Sequence, residues 1–426
     1  MLHIVLALFI FQPIQVEEYT LGNGLKLLVY EDHFAPVVSV QVHYRVGSYN
    51  ESVGLTGISH LLEHMAFKGT AAHGPHEYSR LIEGAGGIEN AYTSVNRTVY
   101  HAHLGSDRYE LELELEADRM QNLLIAGEEY TSEKQVVMEE RRLRENDPYY
   151  MIFEQLDLIG FSYHPHRRPI IGFMADIERI SRDDVYKWYR HYYNPGNAVI
   201  VIAGDVRPQQ AYDLVKRYFG ALEGHKVEDV EFDEPPQKGE RRFEYRREVQ
   251  MPALAIQYHT VTVSHEDVSA LDVLAMILSY GMSSRFEQNL VRDKGLATAA
   301  NVYHVNYKYG GNFIIFGVPQ TEITLAALEN AIYSAIDSLK TIPVLDAELE
   351  KAKNQALASA VYQQDSPSGI GMRLGSWEIE AGGWEKLNQY FEEIQKVSKE
   401  DIIRVAQTYL TKNNRTVGYL LPEEEN

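Results

Sequence analysis

The sequence predicts an α+β protein built from two homologous halves, each a mixed or antiparallel sheet covered by helices. Segments with strand and helix periodicity follow one another in mixed order along all 426 residues. The second half of the chain weakly repeats the plan of the first, and an acidic, proline-bearing stretch separates the two. The chain is also long enough for each half to bury its own core. Together these observations indicate an internal duplication.

We divide the chain into four parts. Residues 1–15 form an apolar N-terminal segment, residues 16–224 a first domain, residues 225–242 a linker and residues 243–426 a homologous second domain. The linker contains Glu234-Pro235-Pro236, a combination typical of an interdomain connection.

Two interpretations of the apolar segment stay open. Its run of Ile, Val, Leu and Phe is too short to span a bilayer, so no stable membrane span is expected. As a signal peptide it would direct the protein to the periplasm or another exported location. It lacks the basic residues and the small-residue cleavage site of such signals. As an apolar arm packed on the first domain it would leave the protein cytoplasmic.

Within the first domain, alternation predicts a half-buried strand whose apolar face carries Val38, Val40, Val42, Tyr44 and Val46. Residues 198–203 are small or apolar and predict a buried strand, and an amphipathic helix follows through residues 211–218. In the second domain we expect strands at residues 253–258, 313–318 and 416–421, and helices at residues 270–278, 345–362 and 402–410.

Composition excludes several classes of function. The formal net charge of -21 argues against nucleic-acid binding, which needs clustered Lys and Arg. The chain has no cysteine, so disulfides, thiolate metal sites and cysteine nucleophiles are excluded. Any metal must therefore be held by His, Asp or Glu. The acidic balance weakly favours basic or neutral ligands.

The most informative motif is His60-Leu61-Leu62-Glu63-His64, which reads H-x-x-E-H. On a helix, residues four apart share a face, so His60 and His64 can bind one metal ion with Glu63 close by as a general base. The apolar residues around the motif indicate a buried helix, where a bound cation would compensate the three polar side chains. Zinc-dependent peptide hydrolysis is therefore the leading hypothesis.

A catalytic zinc usually has three protein ligands and one open position, so a third ligand is required. Residues 131–140 predict a helix on which Glu133 and Glu140 lie two turns apart on one face. From spacing alone, either glutamate can reach the metal.

The chain resembles the pitrilysin family of zinc peptidases, which includes insulin-degrading enzyme, mitochondrial processing peptidase and half-length bacterial members that act as two chains. The resemblance covers almost the whole chain. It rests on segments 56–65, Phe67-Lys68-Gly69-Thr70, Asn90-Ala91-Tyr92-Thr93 and Ala203-Gly204-Asp205. It implies a half-clamshell fold and one Zn²⁺ per chain.

The resemblance also implies individual roles. His60, His64 and Glu140 would be the ligands, Glu63 the general base, and Glu133 a carboxylate that lies near the metal and assists. Glu139 competes with Glu140 as third ligand, but only Glu140 shares a helix face with Glu133. We therefore expect Glu139 to lie on a solvated charged face.

The segment Asn90, Ala91, Tyr92 and Thr93 resembles the edge strand to which family members add an extended peptide by main-chain hydrogen bonding. By the same resemblance, substrates would be short or unfolded peptides. The alternative interpretation is an ordinary strand after a glycine-rich turn.

The sequence departs from the family at the residues that stabilise the oxyanion. Val291 stands where family members carry an Arg and Thr298 where they carry a Tyr. The chain is also half the length of single-chain members. We therefore expect a heterodimer in which a homologous subunit supplies the missing pair. A homodimer in which Arg292 or Tyr303 substitutes is the alternative.

Two functions from other classes compete with peptide hydrolysis. A non-catalytic core or scaffold subunit would bind no stoichiometric zinc, although the intact metal motif disfavours it. A peptide-capture module would bind peptides without cleaving them, and its activity would not depend on Glu63.

Overall fold

The computed structural model describes residues 13–424. The predicted N-terminal segment therefore lies, except for its last three residues, outside the described part of the chain. Between residues 13 and 424, no helix is both long and apolar enough to cross a membrane.

The first half contains one mixed sheet. Its strands are β1 (Glu17–Thr20), β2 (Lys26–Glu31), β3 (Val37–Tyr44), β4 (Ile88–Thr93), β5 (Thr98–Gly105) and β6 (Ala198–Gly204). They lie in the order β1-β2-β6-β3-β5-β4, with only β2 and β6 parallel. β4 is therefore an edge strand.

The helices of this half fall between and after these strands. They are α1 (Ile58–Met65), α2 (Glu77–Gly84), α3 (Glu110–Asn122), α4 (Gly127–Glu145), α5 (Pro148–Gly160), α6 (Met174–Arg179), α7 (Arg182–Tyr192) and α8 (Pro208–Phe219). Apolar residues of α1, α3, α4, α7 and α8 pack with one face of the sheet in a single core.

The second half repeats this plan with β7 (Arg241–Arg247), β8 (Ala253–Thr260), β9 (Ala297–Tyr307), β10 (Gly310–Pro319) and β11 (Arg415–Pro422). Their order is β7-β11-β8-β10-β9, again with one parallel pair. The helices are α9 (Val268–Ser279), α10 (Leu325–Leu339), α11 (Asp346–Tyr362), α12 (Pro367–Glu380), α13 (Lys386–Lys396) and α14 (Lys399–Tyr409). A π-helical turn spans Glu287–Asp293.

The two halves match strand for strand. In chain order, β2 to β6 and β7 to β11 occupy the same places and make the same parallel and antiparallel pairs. The match extends to side chains. Asn197 and Asn414 each lie just before the last strand of their sheet, and the side-chain amide of each donates to two backbone carbonyls. The α+β class with two homologous halves is thus confirmed, and each strand and helix named from the sequence is present.

The second face of each sheet is covered by a helix from the other half of the chain. Alternate residues of β2 and β6, among them Leu28 and Val201, pack with α12 and α13 of the second half. In return, Ile152 and Leu156 of α5 pack on Ala253 and Ala255 of β8. The halves are therefore joined by reciprocal exchange of α5 and α12 as well as by the connecting chain.

This exchange corrects one prediction. The strand β3 was expected to be half-buried, yet its polar residues Ser39, Gln41 and His43 are buried as well. α12 crosses them, and a Cβ at Gly375 would overlap the His43 ring. The amide of Gln41 donates to the Ser368 carbonyl at 3.0 Å, so this buried amide is satisfied by a helix rather than by water.

The connection between the halves is irregular from residue 223 to residue 238. The carboxylate of Glu234 accepts backbone N–H bonds from Ser162, Tyr163 and His164 at 2.6–2.9 Å, which fixes the connection to the first half. β7 begins at Arg241, so the last two residues of the predicted linker belong to a strand.

Candidate metal centre and active site

The H-x-x-E-H motif lies on α1, as the periodicity predicts. Ile58, Leu61, Leu62 and Met65 are fully buried in the core of the first half. The opposite side of the helix carries the polar residues His60, Glu63 and His64, and it packs toward α4 and β4. The apolar stripe thus fixes the direction in which the two histidines point.

Two buried carboxylates hold the N-terminal end of α1. Glu51 accepts the N–H groups of Gly57 at 2.7 Å and Ser59 at 2.9 Å, and Asp176 accepts the Thr56 hydroxyl at 2.7 Å. Gly57 has φ of 89°, and a Cβ there would overlap the Ile171 carbonyl. Burial raises the pKa of Glu51 to about 7 despite its bonds to the helix N–H groups. These contacts leave α1 little freedom to shift.

Three side chains converge in the arrangement that a metal ion requires. The Nε2 atoms of His60 and His64 each lie 3.6 Å from Oε2 of Glu140, and one ligand atom from each residue lies within 4.8 Å of the others. The separation of 3.6 Å is long for a hydrogen bond but close to the roughly 3.4 Å between two ligands of one tetrahedral zinc. The donor set therefore fits a metal ion.

Glu133 and Lys68 hold His64 from behind. Glu133 Oε1 lies 2.8 Å from Nδ1 of His64, and its other oxygen lies 2.6 Å from the Lys68 ammonium. Burial favours the neutral ring, but the bonds with Glu133 and Glu140 outweigh it and raise the pKa of His64 to about 9. A carboxylate on the far nitrogen of a ligating histidine fixes the ring so that Nε2 faces the metal.

The other ligand positions are electrostatically distinct. The hydrogen bond with His64, followed by the charges of His60 and Arg144, lowers the pKa of Glu140 to about 2. Arg144 binds the second oxygen of Glu140 at 2.6 Å. Burial, with the neighbouring His64 next, lowers the pKa of His60 to about 4. One ligand is thus an ionised carboxylate and another a neutral imidazole, the forms that bind metal.

Glu63 is buried beside this group and takes one strong hydrogen bond. The Thr93 hydroxyl on β4 donates to Glu63 Oε2 at 2.5 Å. Burial raises the pKa of Glu63, and the bond from Thr93 opposes that rise. The carboxylate is therefore held at the boundary between α1 and the edge strand, where a base acting on a bound peptide would be needed.

The neighbouring charges on α4 fall into two groups. Glu139 is exposed and pairs with Arg142, on the side of the helix away from the histidines. Arg141, two residues further along α4, is instead 3% exposed and binds both oxygens of Glu154 on α5. A buried bidentate pair thus ties the ligand helix to the next helix.

The segment Asn90 to Thr93 forms the last four of the six residues of β4, whose outer edge pairs with no other strand between residues 13 and 424. Asn90 is exposed, and Ala91, Tyr92 and Thr93 are half-buried. This edge lies directly beside α1, since Thr93 touches Glu63. Its backbone groups are available to an added strand.

The residues at the oxyanion positions lie in the second half. Val291 packs against the second core, and the Thr298 hydroxyl donates to the Val318 carbonyl at 3.2 Å. Of the two substitutes considered, Arg292 pairs with Glu287 at 2.9 Å and Tyr303 is 48% exposed on the edge strand β9. None of these four has a described contact with the candidate metal ligands.

Two contributors to the site escaped the sequence analysis. Lys68 lies in one of the segments on which the family resemblance rests, but neither the motifs nor their spacing indicate a role for it or for Glu51. The sequence does carry a different signal for Glu51. An acidic residue shortly before a helix that starts after a glycine can accept the free N–H groups at the N-terminus of that helix.

The fold and the site together define a class: duplicated two-sheet proteins with an inverted zinc-peptidase motif. Comparison with known proteins is specific. Residues 26–173 match the model of the insulinase family, peptidase family M16, and residues 179–356 match that of the M16 inactive domain. The chain belongs to the M16 family, which confirms the resemblance to the pitrilysin peptidases. The inactive-domain match excludes residues 60–140, where the ligands lie.

Individual relatives agree with this assignment. The zinc protease PqqE of Helicobacter pylori is 31% identical over 412 residues, covering 95% of this chain and 93% of the relative. A probable mitochondrial-processing peptidase subunit beta of Arabidopsis thaliana is 26% identical, covering 95% and 78%. The crystal structure of a protease from Helicobacter pylori superimposes with a TM-score of 0.92 at 30% identity, covering 96% of this chain and 100% of that one.

Proposed function

We propose that this protein is a zinc-dependent endopeptidase that cleaves short or unfolded peptides. The observation that carries the proposal is the convergence of His60, His64 and Glu140 at metal-ligand separations beside the buried carboxylate of Glu63. Relatives named zinc proteases support zinc as the metal. Peptide hydrolysis is the reaction for which this combination of ligands and base is used.

When bound, zinc supplies Lewis-acid activation of water and of a peptide carbonyl. Glu63 takes the proton from the attacking water and delivers it to the leaving amine. The hydrogen bond from Thr93 holds the base in place, and the pair formed by Glu133 and Lys68 holds the ring of His64. The chain thus holds the base and one ligand ring in place, and Glu63 carries the proton.

The peptide would lie along β4. Backbone hydrogen bonds to Asn90, Ala91 and Tyr92 would add it as a further strand, and Thr93 would bring the scissile bond next to Glu63. Main-chain pairing requires an extended segment, a conformation that short or unfolded peptides adopt readily. This supports short or unfolded peptides as the substrate class.

We further propose that a homologous subunit completes the site. The chain carries Val291 and Thr298 at the positions of the family's oxyanion donors, and neither offers a charged or phenolic donor. Loss of one such donor typically costs a factor of about 100 to 1,000 in rate. A heterodimer whose partner contributes the Arg and Tyr is favoured over a homodimer that uses Arg292 or Tyr303.

The test is a metal analysis and assay of chain purified without chelator, alone and with a homologous subunit that carries the Arg and Tyr. We expect one zinc per chain, weak cleavage of an unfolded peptide by the chain alone, and a large increase with the partner. Robust turnover alone would refute the heterodimer. Absence of stoichiometric zinc would refute the peptidase and support a scaffold role, and binding unaffected by Glu63→Gln would support peptide capture.

A further inference from the structure

A second feature, outside the metal centre, is the guanidinium of Arg373 on α12. Three other arginines with little exposure are each neutralised by a glutamate: Arg97 by Glu380, Arg119 by Glu116 and Arg141 by Glu154. Arg373 is different. Within residues 13–424, no carboxylate oxygen lies within 4.0 Å of its nitrogens.

The surroundings of Arg373 do not replace the missing anion. One terminal nitrogen donates to the amide oxygen of Gln363 at 2.7 Å, and the guanidinium carbon lies 5.7 Å from the Phe391 ring centroid. Its Nε is buried with no hydrogen-bond partner. Burial lowers the pKa of Arg373, and the charge interactions with Tyr390 and Asp272 offset this only in part. Such a group is costly unless an anion from elsewhere completes it.

Arg373 also faces open space. It lines two cavities, of about 350 Å³ and about 370 Å³, and both are also lined by Asp272, Gln363 and Tyr390. The first extends toward Arg97 in the turn between β4 and β5, and the second toward Tyr303 on β9. Each is within the usual range of small-ligand pockets, roughly 300–1,000 Å³. A ligand can therefore reach the guanidinium from either cavity, and both cavities border the edge strand β9.

The remaining wall groups restrict the charge of that ligand. Asp272 is held by Nδ1 of His304 at 2.7 Å and by the Tyr390 hydroxyl at 2.6 Å, and Glu380 is held by Arg97. Both carboxylates stay in the wall, so a multiply charged anion would be repelled. A single planar carboxylate matches the fork of the guanidinium and carries one charge.

We propose that Arg373 and the two cavities form a binding site for a monocarboxylate, either the C-terminal carboxylate of a peptide or a small free acid. The site lies on α12, more than two hundred residues beyond the metal ligands in the sequence. Binding of a carboxylate does not depend on the proposed peptidase function. Only the identification of the ligand as the C-terminus of a peptide rests on that function. If a peptide is the source, the site anchors the end of a chain that lies along the edge strands.

The test uses the full-length protein stripped of metal, so that its outcome is independent of hydrolysis. Isothermal titration calorimetry compares N-acetyl-dialanine with its C-terminal amide, and acetate is titrated as the small free acid. We expect the peptide acid to bind and the amide to bind at least about tenfold more weakly, the usual size of a charge-assisted pair. Stronger binding of the peptide acid than of acetate identifies a peptide end, and equal binding identifies a small acid.

Variants make the test specific. Arg373→Gln should weaken binding of the acid at least about tenfold, and Arg373→Lys, which keeps the charge and tests folding, should retain part of it. The matched control is Arg246→Gln, which removes an arginine on β7 that lines neither cavity. Absence of acid binding, equal binding of acid and amide, or an acid preference that survives in folded Arg373→Gln protein would overturn the proposal.

Discussion

The helix pair α1 and α4 in the first half corresponds to the pair α9 and α11 in the second, and the two pairs are used differently. Both pack together beneath their sheet. Where α4 presents Glu133 and Glu140 to two histidines, α11 presents buried Leu349, Ala352 and Ala356 to an apolar helix. One scaffold thus supports either a polar cluster that a cation compensates or a continuous apolar interface.

The comparison extends to the edge strands. Glu63 of α1 accepts a hydrogen bond from Thr93 of β4, and Asp272 of α9 bonds His304 of β9 at 2.7 Å. In both halves a carboxylate on the first helix therefore meets the edge strand. Only the first has two histidines beside it. The duplication preserved the contact between helix and strand, while the metal chemistry is confined to one copy.

The largest effect should follow from neutralising the base. Glu63→Gln keeps the size of the side chain and the contact with Thr93 but removes the proton acceptor. We expect the rate constant for peptide cleavage to fall by about 10² to 10⁴ with zinc content unchanged. Steady-state kinetics and metal analysis of the same preparation measure both quantities. Activity within a factor of two of the wild type would show that the first pair is not used as proposed.

The second prediction introduces a charge into the apolar pair. Ala352 is fully buried on α11, so Ala352→Glu places an uncompensated carboxylate in the second core. We expect a loss of about 3 kcal/mol in the free energy of unfolding, measured by urea denaturation. Asn354→Glu, on the exposed side of the same helix, is the control and should change stability little. Equal effects of the two variants would contradict the contrast between the pairs.

The third prediction concerns the residue behind His64. Glu133→Gln retains an oxygen for Nδ1 but loses the charge that pairs with Lys68. We expect zinc affinity to fall about 10- to 100-fold, measured by competition with a chromophoric chelator. Glu139→Gln, one exposed charge on the same helix, should leave affinity unchanged. An unaltered affinity in Glu133→Gln would remove Glu133 from the site.

The smallest effect is expected for the contact between the first helix and the edge strand, which has an equivalent in each half. Thr93→Val removes the hydroxyl that donates to Glu63 and leaves the strand backbone intact. Loss of one hydrogen bond to a charged group should lower kcat about tenfold with little change in KM. Thr93→Ser restores the hydroxyl and should recover most of kcat. A change in KM alone would assign Thr93 to peptide binding rather than to holding the base.

What the sequence predicts well is local. The spacing of His60, Glu63 and His64 places them on one helix face, and the face shared by Glu133 and Glu140 follows from the same periodicity. The assignment of Glu140 as a ligand needed the family resemblance, since spacing left two candidates.

What the sequence could not predict depends on distant partners. The alternation in β3 indicates a water-facing side, but α12, more than three hundred residues further along, covers Gln41 and His43. The burial of Arg141 depends on Glu154 in the next helix. The unpaired state of Arg373 is visible only once every neighbouring carboxylate has been placed.

The exchange of α5 and α12 has a consequence for biosynthesis. When the ribosome has completed β6, the face of the first sheet that carries Leu28 and Val201 still lacks its cover, because α12 begins only at Pro367. The nascent chain must therefore keep an apolar sheet surface protected for more than one hundred and fifty further residues. We expect that the first half made alone aggregates, and that native structure forms only after translation is nearly complete.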